Sequence, residues 1–151
     1  MTHQEDLHSD TLAVHAGVGD YESRPVVPPI YQTSTFAFDS VEQGAALFAG
    51  KERGYIYSRM GHPTVARLEE ALATLEGGFG AFATSSGMAA LNTTLFALLG
   101  HGDHVVGTSS VYGPSRVVIE RDFARFGVRS TIVNTWDVEA VRAPIRPETN
   151  H

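Results

Sequence analysis

The sequence predicts an α/β fold, in which an extended amino-terminal arm (residues 1–60) precedes an incomplete α/β domain (residues 61–151). Three observations lead to this prediction. Residues 26–36 combine adjacent prolines with a hydroxyl-rich stretch. From Pro63 onward, helix-like and strand-like segments alternate, which is typical of a sheet layered with helices. The alternation stops after a last helix, where a further strand is expected.

The arm offers little material for a core of its own. Pro28 and Pro29 exclude a central strand or a helix interior at that point, because proline lacks an amide N–H. A short helix is predicted from about Ser40, a favourable N-cap, to Phe48. We therefore expect the arm to pack on another domain or another subunit.

The α/β part begins with a helix at Pro63, since proline is favoured at a first helical position, and Gly77 and Gly78 predict its end. A buried strand is predicted over residues 81–84, followed by a second helix after Gly87. The two helices carry apolar residues at helical spacing. These are Val65, Leu68, Leu72 and Leu75 in the first helix, and Met88, Leu91, Leu95 and Leu98 in the second.

Two more strands are predicted downstream, over residues 104–107 and 129–134, with a helix over 115–126 between them. Asp137 predicts the cap of a last helix bearing Val138, Val141 and Ile145, until the prolines at 144 and 147 interfere. A strand, a helix and a strand in this order predict a sheet that is at least partly parallel.

Composition excludes several classes of function. The formal net charge is −6 and the pI is about 5.6, so the basic footprint that nucleic acids require is absent. There are no cysteines, which excludes disulfides and thiolate chemistry. No apolar run reaches the ~18 residues of a membrane span, and the polar start is unlike a signal peptide, so we expect a soluble, cytoplasmic protein. The 11 basic residues include one lysine, Lys51.

The sharpest local feature is residues 84–88, Thr-Ser-Ser-Gly-Met, at a strand-to-helix junction. Free amide N–H groups and the positive end of the helix dipole favour a phosphate there. Gly87 would let the phosphate approach the backbone, and Ser86 would add a hydroxyl. An ordinary capped helix start is the alternative, because serine is a favoured N-cap.

Two further segments carry candidate ligand-binding residues. Alternation along an extended segment would place Tyr55, Tyr57 and Arg59 on one side, and the arginine fork suits phosphate or carboxylate. Tyr112 follows a predicted strand, near the edge where open α/β sheets bind ligands, and its ring could stack on a flat cofactor. A surface arginine and a turn tyrosine are the structural alternatives. Residues 101–104, His-Gly-Asp-His, are interpreted as a turn and no metal site is predicted.

In order, these segments resemble one family. They are residues 11–17 (TLAVHAG), 28–36 (PPIYQTSTF), 54–59 (GYIYSR), 63–64 (PT), 75–78 (LEGG), 85–88 (SSGM), 102–104 (GDH) and 112–113 (YG). Together they resemble the Cys/Met-metabolism pyridoxal-phosphate enzymes: methionine γ-lyase, O-acetylhomoserine sulfhydrylase, cystathionine γ-synthase and cystathionine γ-lyase. The likeness runs from about residue 11 to residue 149.

The resemblance implies roles for six residues. Tyr57 and Arg59 resemble the pair that binds the cofactor phosphate in a neighbouring subunit. Gly87 and Met88, with Ser86 beside them, resemble the residues that hold the phosphate in their own subunit. Tyr112 resembles the tyrosine that stacks on the pyridine ring and assists proton transfer or leaving-group departure, which makes it the one catalytic candidate here.

The resemblance also implies a fold and an activity. The fold is the three-layer αβα large domain of fold-type I pyridoxal-phosphate enzymes, assembled as a dimer of dimers with arms crossing between subunits. The activity is γ-elimination or γ-replacement on methionine, O-acetylhomoserine or cystathionine-type substrates, with pyridoxal 5′-phosphate as cofactor. Two positions depart from the family: His62 stands where relatives usually carry asparagine, and Pro114 where methionine γ-lyases typically have cysteine.

The family's Schiff-base lysine has no counterpart in the sequence. Lys51 is the only lysine, and it lies in a charged stretch interpreted as a solvated loop. We therefore expect an amino-terminal piece of such an enzyme, cut off before that lysine and inactive alone. A catalytically inactive fragment that serves only as an assembly partner is the first alternative, and an unrelated nucleotide-binding α/β domain is the second.

Overall fold

A computed structural model describes residues 7–18, 25–134 and 137–149. The chain divides into two compact units, residues 1–83 and 84–151, and each is described by itself. The predicted boundary at residue 60, between arm and α/β domain, stays a prediction. Parts of the polar start and of the chain end lie outside the described residues. Within the described residues, no helix combines the length and the apolar composition that crossing a membrane requires.

The first unit contains three helices among its described residues: α1 (Ser9–His15), α2 (Val41–Phe48) and α3 (Pro63–Leu75). The short helix predicted from Ser40 is confirmed, and the Ser40 hydroxyl accepts a hydrogen bond from the Gln43 N–H at 3.1 Å. The helix predicted at Pro63 is also confirmed, and it ends where Gly77 adopts a φ of 60°.

Helix α1 packs against α3 through a buried glycine at its end. Gly17 has a φ of 75°, and a Cβ atom at this position would overlap the backbone carbonyl of Arg67 in α3. Only glycine combines this backbone conformation with so close an approach. The apolar face predicted for α3 is less buried than expected, since Val65, Leu68, Leu72 and Leu75 are all exposed.

The strand predicted over residues 81–84 is wrong. This segment has no regular secondary structure, and the Ala83 N–H donates to the Glu69 carboxylate at 2.8 Å instead of to a neighbouring strand. A strand exists only where another segment supplies the ladder of hydrogen bonds. Among the described residues, none pairs with 81–84.

The second unit is built on α4 (Gly87–Leu98) and two strands, β1 (His104–Thr108) and β2 (Arg129–Val133). The strands pair in parallel, with His104 opposite Arg129 and Thr108 opposite Val133. Both strands were predicted, and the predicted parallel pairing is confirmed. A last helix, α6 (Val138–Arg142), begins at Asp137 as predicted, because the Asp137 carboxylate accepts from the N–H groups of Glu139 and Ala140. It ends before Ile145, which the prediction had included.

The segment between the strands is helical, but it is not one α-helix. Helix α5 (Gly113–Val117) continues as a π-helical turn (Val118–Asp122) and a 3₁₀ turn (Phe123–Phe126), where a single helix over 115–126 was predicted. Val118, Ile119 and Phe123 are all buried in this segment. The core of the unit is Leu95, Leu99, Val105, Val118, Ile119, Phe123 and Val128.

Phe123 is the largest apolar side chain in this core, and its removal should cost the most. It is 2% exposed and its ring centroid lies 4.7 Å from that of Phe96. We expect Phe123→Ala to lower the free energy of unfolding by about 3–5 kcal/mol, measured by urea denaturation. Phe126→Ala is the matched control, because Phe126 is 55% exposed. Equal losses in the two variants would contradict this account of the core.

Candidate functional site

The start of α4 is a capped helix N-terminus with an open approach. Ser86 has an extended backbone, and its hydroxyl accepts from the Ala89 N–H at 3.1 Å. The Ser86 carbonyl accepts from the Thr84 hydroxyl at 2.9 Å, which fixes the residues before the helix. Residues 84–88 therefore form a capped helix start, and the phosphate site there stays a prediction.

The same helix start keeps the features that favour an anion. The first N–H groups of a helix have no acceptor within it, and here these belong to Gly87 and Met88. No heavy atom lies within 4 Å of the position that a Cβ of Gly87 would take, apart from its chain neighbours and its own helix. A phosphate could therefore approach both N–H groups, at the positive end of a 12-residue helix.

Helices α4 and α5 meet near their first turns. Met88 packs against the core, and the buried Ser115 hydroxyl lies 3.6 Å from its sulfur. Tyr112 occupies the N-cap position of α5, three residues before Ser115, and its side chain is 68% exposed. The second unit therefore brings the segment with Ser86, Gly87 and Met88 close to the segment that presents an exposed tyrosine ring.

The carboxyl edge of the sheet adds two polar residues that the sequence interpretation missed. The Ser109 N–H donates to the Val133 carbonyl at 2.9 Å, and its hydroxyl lies 3.4 Å from the Asn134 side-chain oxygen. Ser109 follows β1 and Asn134 follows β2, so both lie at the edge where parallel sheets bind ligands. The signal that could have found them is the polar residues at the end of each predicted strand, residues 108–110 after the first and Asn134 at the end of the second.

In the first unit, Tyr57 and Arg59 lie together on a short β-bridge and turn. Tyr57 pairs antiparallel with Thr35, and the chain then turns, with the Met60 N–H donating to the Tyr57 carbonyl. The prediction of one extended segment through Arg59 is wrong, because the turn begins at Ser58. Tyr55 instead packs on Phe36, with ring centroids 5.5 Å apart.

The turn places the Arg59 guanidinium over the Tyr57 ring, 5.6 Å from its centroid, in a cation–π contact. Among the described residues, no carboxylate lies within 4.0 Å of this guanidinium. The charge of Arg59 is therefore available to an anion. Tyr57 and Arg59 belong to the first unit, while Ser86, Gly87, Met88 and Tyr112 belong to the second.

The turn before β1 carries no group of metal ligands in the described residues, where no cluster of three or more His, Cys, Asp or Glu side chains occurs. The Asp103 carboxylate instead accepts from the Gly100 N–H at 2.7 Å. Lys51 is exposed just after α2, and its backbone N–H donates to the Ala46 carbonyl. Nothing in these contacts prepares Lys51 for catalysis.

His104 is a buried polar residue whose structural role the sequence interpretation missed. Its Nδ1 lies 2.8 Å from the Thr149 hydroxyl, and its Nε2 lies 2.8 Å from the Thr131 hydroxyl of β2. The His104 N–H also donates to the Glu148 carbonyl at 2.8 Å, so the chain after α6 runs along the free edge of β1.

Burial lowers the pKa of the His104 imidazole below its ordinary value. The positive charges of Arg146 and Arg129 lower this pKa further, against an opposite effect of Glu148. The neutral imidazole is therefore the form that fits between the two threonine hydroxyls, one of which it donates to and the other of which it accepts from.

Comparison with known proteins identifies the class of the chain. The family model described as Cys/Met metabolism PLP-dependent enzyme matches residues 10–151. The chain belongs to this family of pyridoxal-phosphate-dependent lyases and transferases, and it corresponds to the family's amino-terminal part. The cofactor that the family indicates is pyridoxal 5′-phosphate.

Two curated relatives of the chain are enzymes of this family. The chain is 43% identical over 139 residues to the L-methionine gamma-lyase of Porphyromonas gingivalis, covering 92% of this chain and 35% of the relative. It is 40% identical over 150 residues to Sulfhydrylase FUB7 of Gibberella moniliformis, covering 99% of this chain and 35% of the relative. The chain thus spans about a third of the length of the curated relatives that it matches.

A solved structure supports the same fold. It is described as an O-acetylhomoserine (thiol)-lyase from Campylobacter jejuni with a pyridoxyl-lysine monophosphate group, and it superposes with a TM-score of 0.87 at 32% identity. The match covers 95% of this chain and 36% of that chain. The neighbours are enzymes of the pyridoxal-phosphate family, which confirms the predicted α/β class.

The residues present fit parts of this cofactor. The open N-terminus of α4 suits its phosphate, because Gly87 leaves free the space that a side chain would fill. The exposed ring of Tyr112 offers a flat face to a pyridine ring. Arg59 adds a cationic fork without a carboxylate partner in the part of the chain that is described.

The lowered pKa of His104 makes the stability of the chain depend on pH. The folded state disfavours protonation of His104, so the pKa of this imidazole is lower in the folded chain than in the unfolded chain, where it is about 6.5. The free energy of unfolding is therefore highest above the unfolded pKa and decreases as the pH falls through the folded pKa. We expect the melting temperature to fall between about pH 7.5 and about pH 5.5. His104→Gln should flatten this dependence, and His101→Gln, which changes an exposed histidine, should leave it unaltered. If the melting temperatures of His104→Gln and of the unaltered chain depended on pH in the same way, the assignment of this dependence to His104 would be disproved.

Proposed function

We propose that this chain is the amino-terminal part of a pyridoxal-phosphate-dependent enzyme that eliminates or replaces the γ-substituent of sulfur amino acids. The substrate class is methionine, O-acetylhomoserine or a cystathionine-type amino acid. The observation that carries the proposal is the open N-terminus of α4, where Gly87 and Met88 offer N–H groups to a phosphate. The names of the relatives, a methionine gamma-lyase and a sulfhydrylase, support the substrate class.

Each candidate residue has a physical task in this proposal. The N–H groups of Gly87 and Met88 hold the phosphate, and the Ser86 hydroxyl stabilises the helix start that presents them. Tyr112 stacks on the pyridine ring, and its hydroxyl holds a proton for the leaving group or for the substrate. Tyr57 and Arg59 bind the phosphate of a neighbouring subunit, for which the Arg59 guanidinium is suited because no carboxylate of the described residues lies within 4.0 Å of it.

The bound cofactor would supply an electron sink for the substrate carbanion. What this chain contributes is binding and orientation: backbone N–H groups and an arginine fork for the phosphate, and an aromatic face for the ring. Ser109 and Asn134 lie at the same sheet edge that carries Tyr112, so they are well placed to orient polar groups of a ligand.

The proposal also includes the layers of the domain and the assembly of the subunits. Residues 61–151 form part of a three-layer αβα domain, and residues 1–60 form an arm that packs on a neighbouring subunit in a dimer of dimers. The exposed apolar side chains of the arm, Val26, Val27 and Ile30, support such an interface. The proposal includes a cytoplasmic protein that acts on small molecules, and the formal net charge of −6 supports it because nucleic-acid partners require a basic footprint.

Phosphate binding at α4 can be tested directly by NMR. Pyridoxamine 5′-phosphate should shift the amide signals of Gly87 and Met88, while pyridoxamine, which lacks the phosphate, should not. Pyridoxamine has no aldehyde, so Lys51 cannot react with it. We expect Gly87→Val to weaken this binding by about tenfold or more, the equivalent of one lost hydrogen bond to a charged group. Gly80→Ala, at another glycine with open space around it, should leave binding unaltered. A stronger response to ATP than to pyridoxamine 5′-phosphate would instead favour a nucleotide site.

Catalysis by the chain alone is expected to be absent. A Schiff base needs an amine, and the only lysine side chain is the exposed Lys51. We expect no turnover of methionine or O-acetylhomoserine by the purified chain with added pyridoxal 5′-phosphate. Robust cofactor-dependent turnover would contradict this expectation, and its loss in Lys51→Arg would assign the activity to Lys51.

An assembly role is the second candidate, and it is favoured by the Arg59 guanidinium, which has no carboxylate partner among the described residues. In this case the chain would complete the phosphate site of a full-length relative. Co-purification with the P. gingivalis methionine gamma-lyase, lost in Arg59→Ala and retained in Arg53→Ala, would support the role. A chain that remains separate from the relative would rule it out.

A further inference from the structure

His62 makes two hydrogen bonds that join distant parts of the first unit. It occupies the N-cap position of α3, where its Nδ1 accepts from the Thr64 N–H at 3.2 Å. Its Nε2 lies 3.0 Å from the carbonyl oxygen of Thr33, 29 residues earlier in the chain. A carbonyl only accepts and Nδ1 accepts from Thr64, so the two hydrogen bonds require the tautomer with its proton on Nε2.

A second contact holds the same segment against α3. The Thr64 hydroxyl accepts from the Tyr31 N–H at 2.9 Å. The Phe36 ring meets the His62 ring edge-on, with centroids 5.8 Å apart. The first turn of α3 thus fixes residues 31–36 at both ends, through Tyr31 and Thr33 on one side and Phe36 on the other.

This segment is also the partner strand of Tyr57. The Ser58 N–H donates to the Ser34 carbonyl at 2.8 Å, and the Phe36 N–H donates to the Ile56 carbonyl at 3.1 Å. Residues 58–61 then form the turn that carries Arg59, and this turn runs directly into His62. The β-bridge therefore holds one end of the turn. His62 lies at the other end, and it also anchors residues 31–36, which pair with Tyr57.

We propose that His62 is a positioning residue for Tyr57 and Arg59: its Nε2–H bond to Thr33 holds the strand that sets the turn, and so places the guanidinium over the tyrosine ring. This inference rests on the proposed function, because the pair it positions is the proposed phosphate-binding pair. It adds a residue that acts on the pair through its hydrogen bond to Thr33.

The competing explanation is that His62 only caps α3. The two hydrogen bonds can be separated by substitution. Asparagine places a carbonyl oxygen where Nδ1 lies, so His62→Asn keeps the cap but is too short to reach Thr33. Glutamine extends an amide N–H toward the position of Nε2, so His62→Gln keeps the link to Thr33 and weakens the cap.

The readout is the ring-current shift of the Arg59 side-chain protons, measured by NMR on the full chain without cofactor. Tyr57→Leu removes the aromatic ring and so gives the chemical shifts of the Arg59 protons without a ring current. We expect His62→Asn to lose the shift although its melting temperature stays close to that of the unaltered chain, and His62→Gln to retain the shift in spite of a lower melting temperature. Nitrogen shifts of the His62 ring should show a proton on Nε2 alone.

Ser40→Ala is the control for general loosening, because it removes the N-cap of α2 in the same unit. It should lower stability and leave the Arg59 shift unaltered. Retention of the shift in His62→Asn, or its loss in Ser40→Ala, would overturn the proposal. The measurement needs no cofactor, so a chain that fails to bind pyridoxamine 5′-phosphate at α4 would refute the proposed function without affecting this result.

Discussion

The parallel pairing of β1 with β2 is the constraint on which the second unit depends. Two parallel strands cannot be joined by a tight turn, so the chain must leave the carboxyl end of β1, cross one face of the sheet and return to the start of β2. The crossing segment, residues 109–128, carries four of the seven buried core side chains. Tyr112 lies near the start of the same crossing, so the requirement for a parallel pair places an exposed aromatic ring at the carboxyl edge of the sheet.

The sequence correctly predicted the features that depend on residues within one helical turn or one short strand. Ser40, Ser86 and Asp137 each supply a side-chain oxygen to the first amides of a helix, and each was predictable because a cap needs only residues within one turn. The strands at 104 and 129 were predictable because both are short apolar runs bounded by turn residues. The helix start at Ser86 was the part of the candidate site that the sequence predicted best, for the same reason.

The other features of the fold and of the candidate site depend on contacts between residues that are far apart in the sequence, and no local pattern reveals such contacts. Residues 81–84 have the composition of a strand, but Ala83 bonds to the carboxylate of Glu69 because no described segment pairs with it. The alternation of Tyr55, Tyr57 and Arg59 did not reveal that the chain turns at Ser58. His62 and His104 have hydrogen-bond partners 29 and 45 residues away, respectively, and their roles were therefore visible only in the folded chain.

In the proposed function, phosphate binding and covalent chemistry are carried by different kinds of groups. Holding a phosphate requires backbone N–H groups at a helix start, which any sequence with a small residue there can supply, and Gly87 does so. Covalent attachment requires one particular amine, and Lys51 stands exposed in a charged turn. Affinity for the phosphate group is thus expected to be separable from turnover. We therefore expect the amide signals at the start of α4 to respond to the phosphate group of the ligand, while the chain converts no substrate.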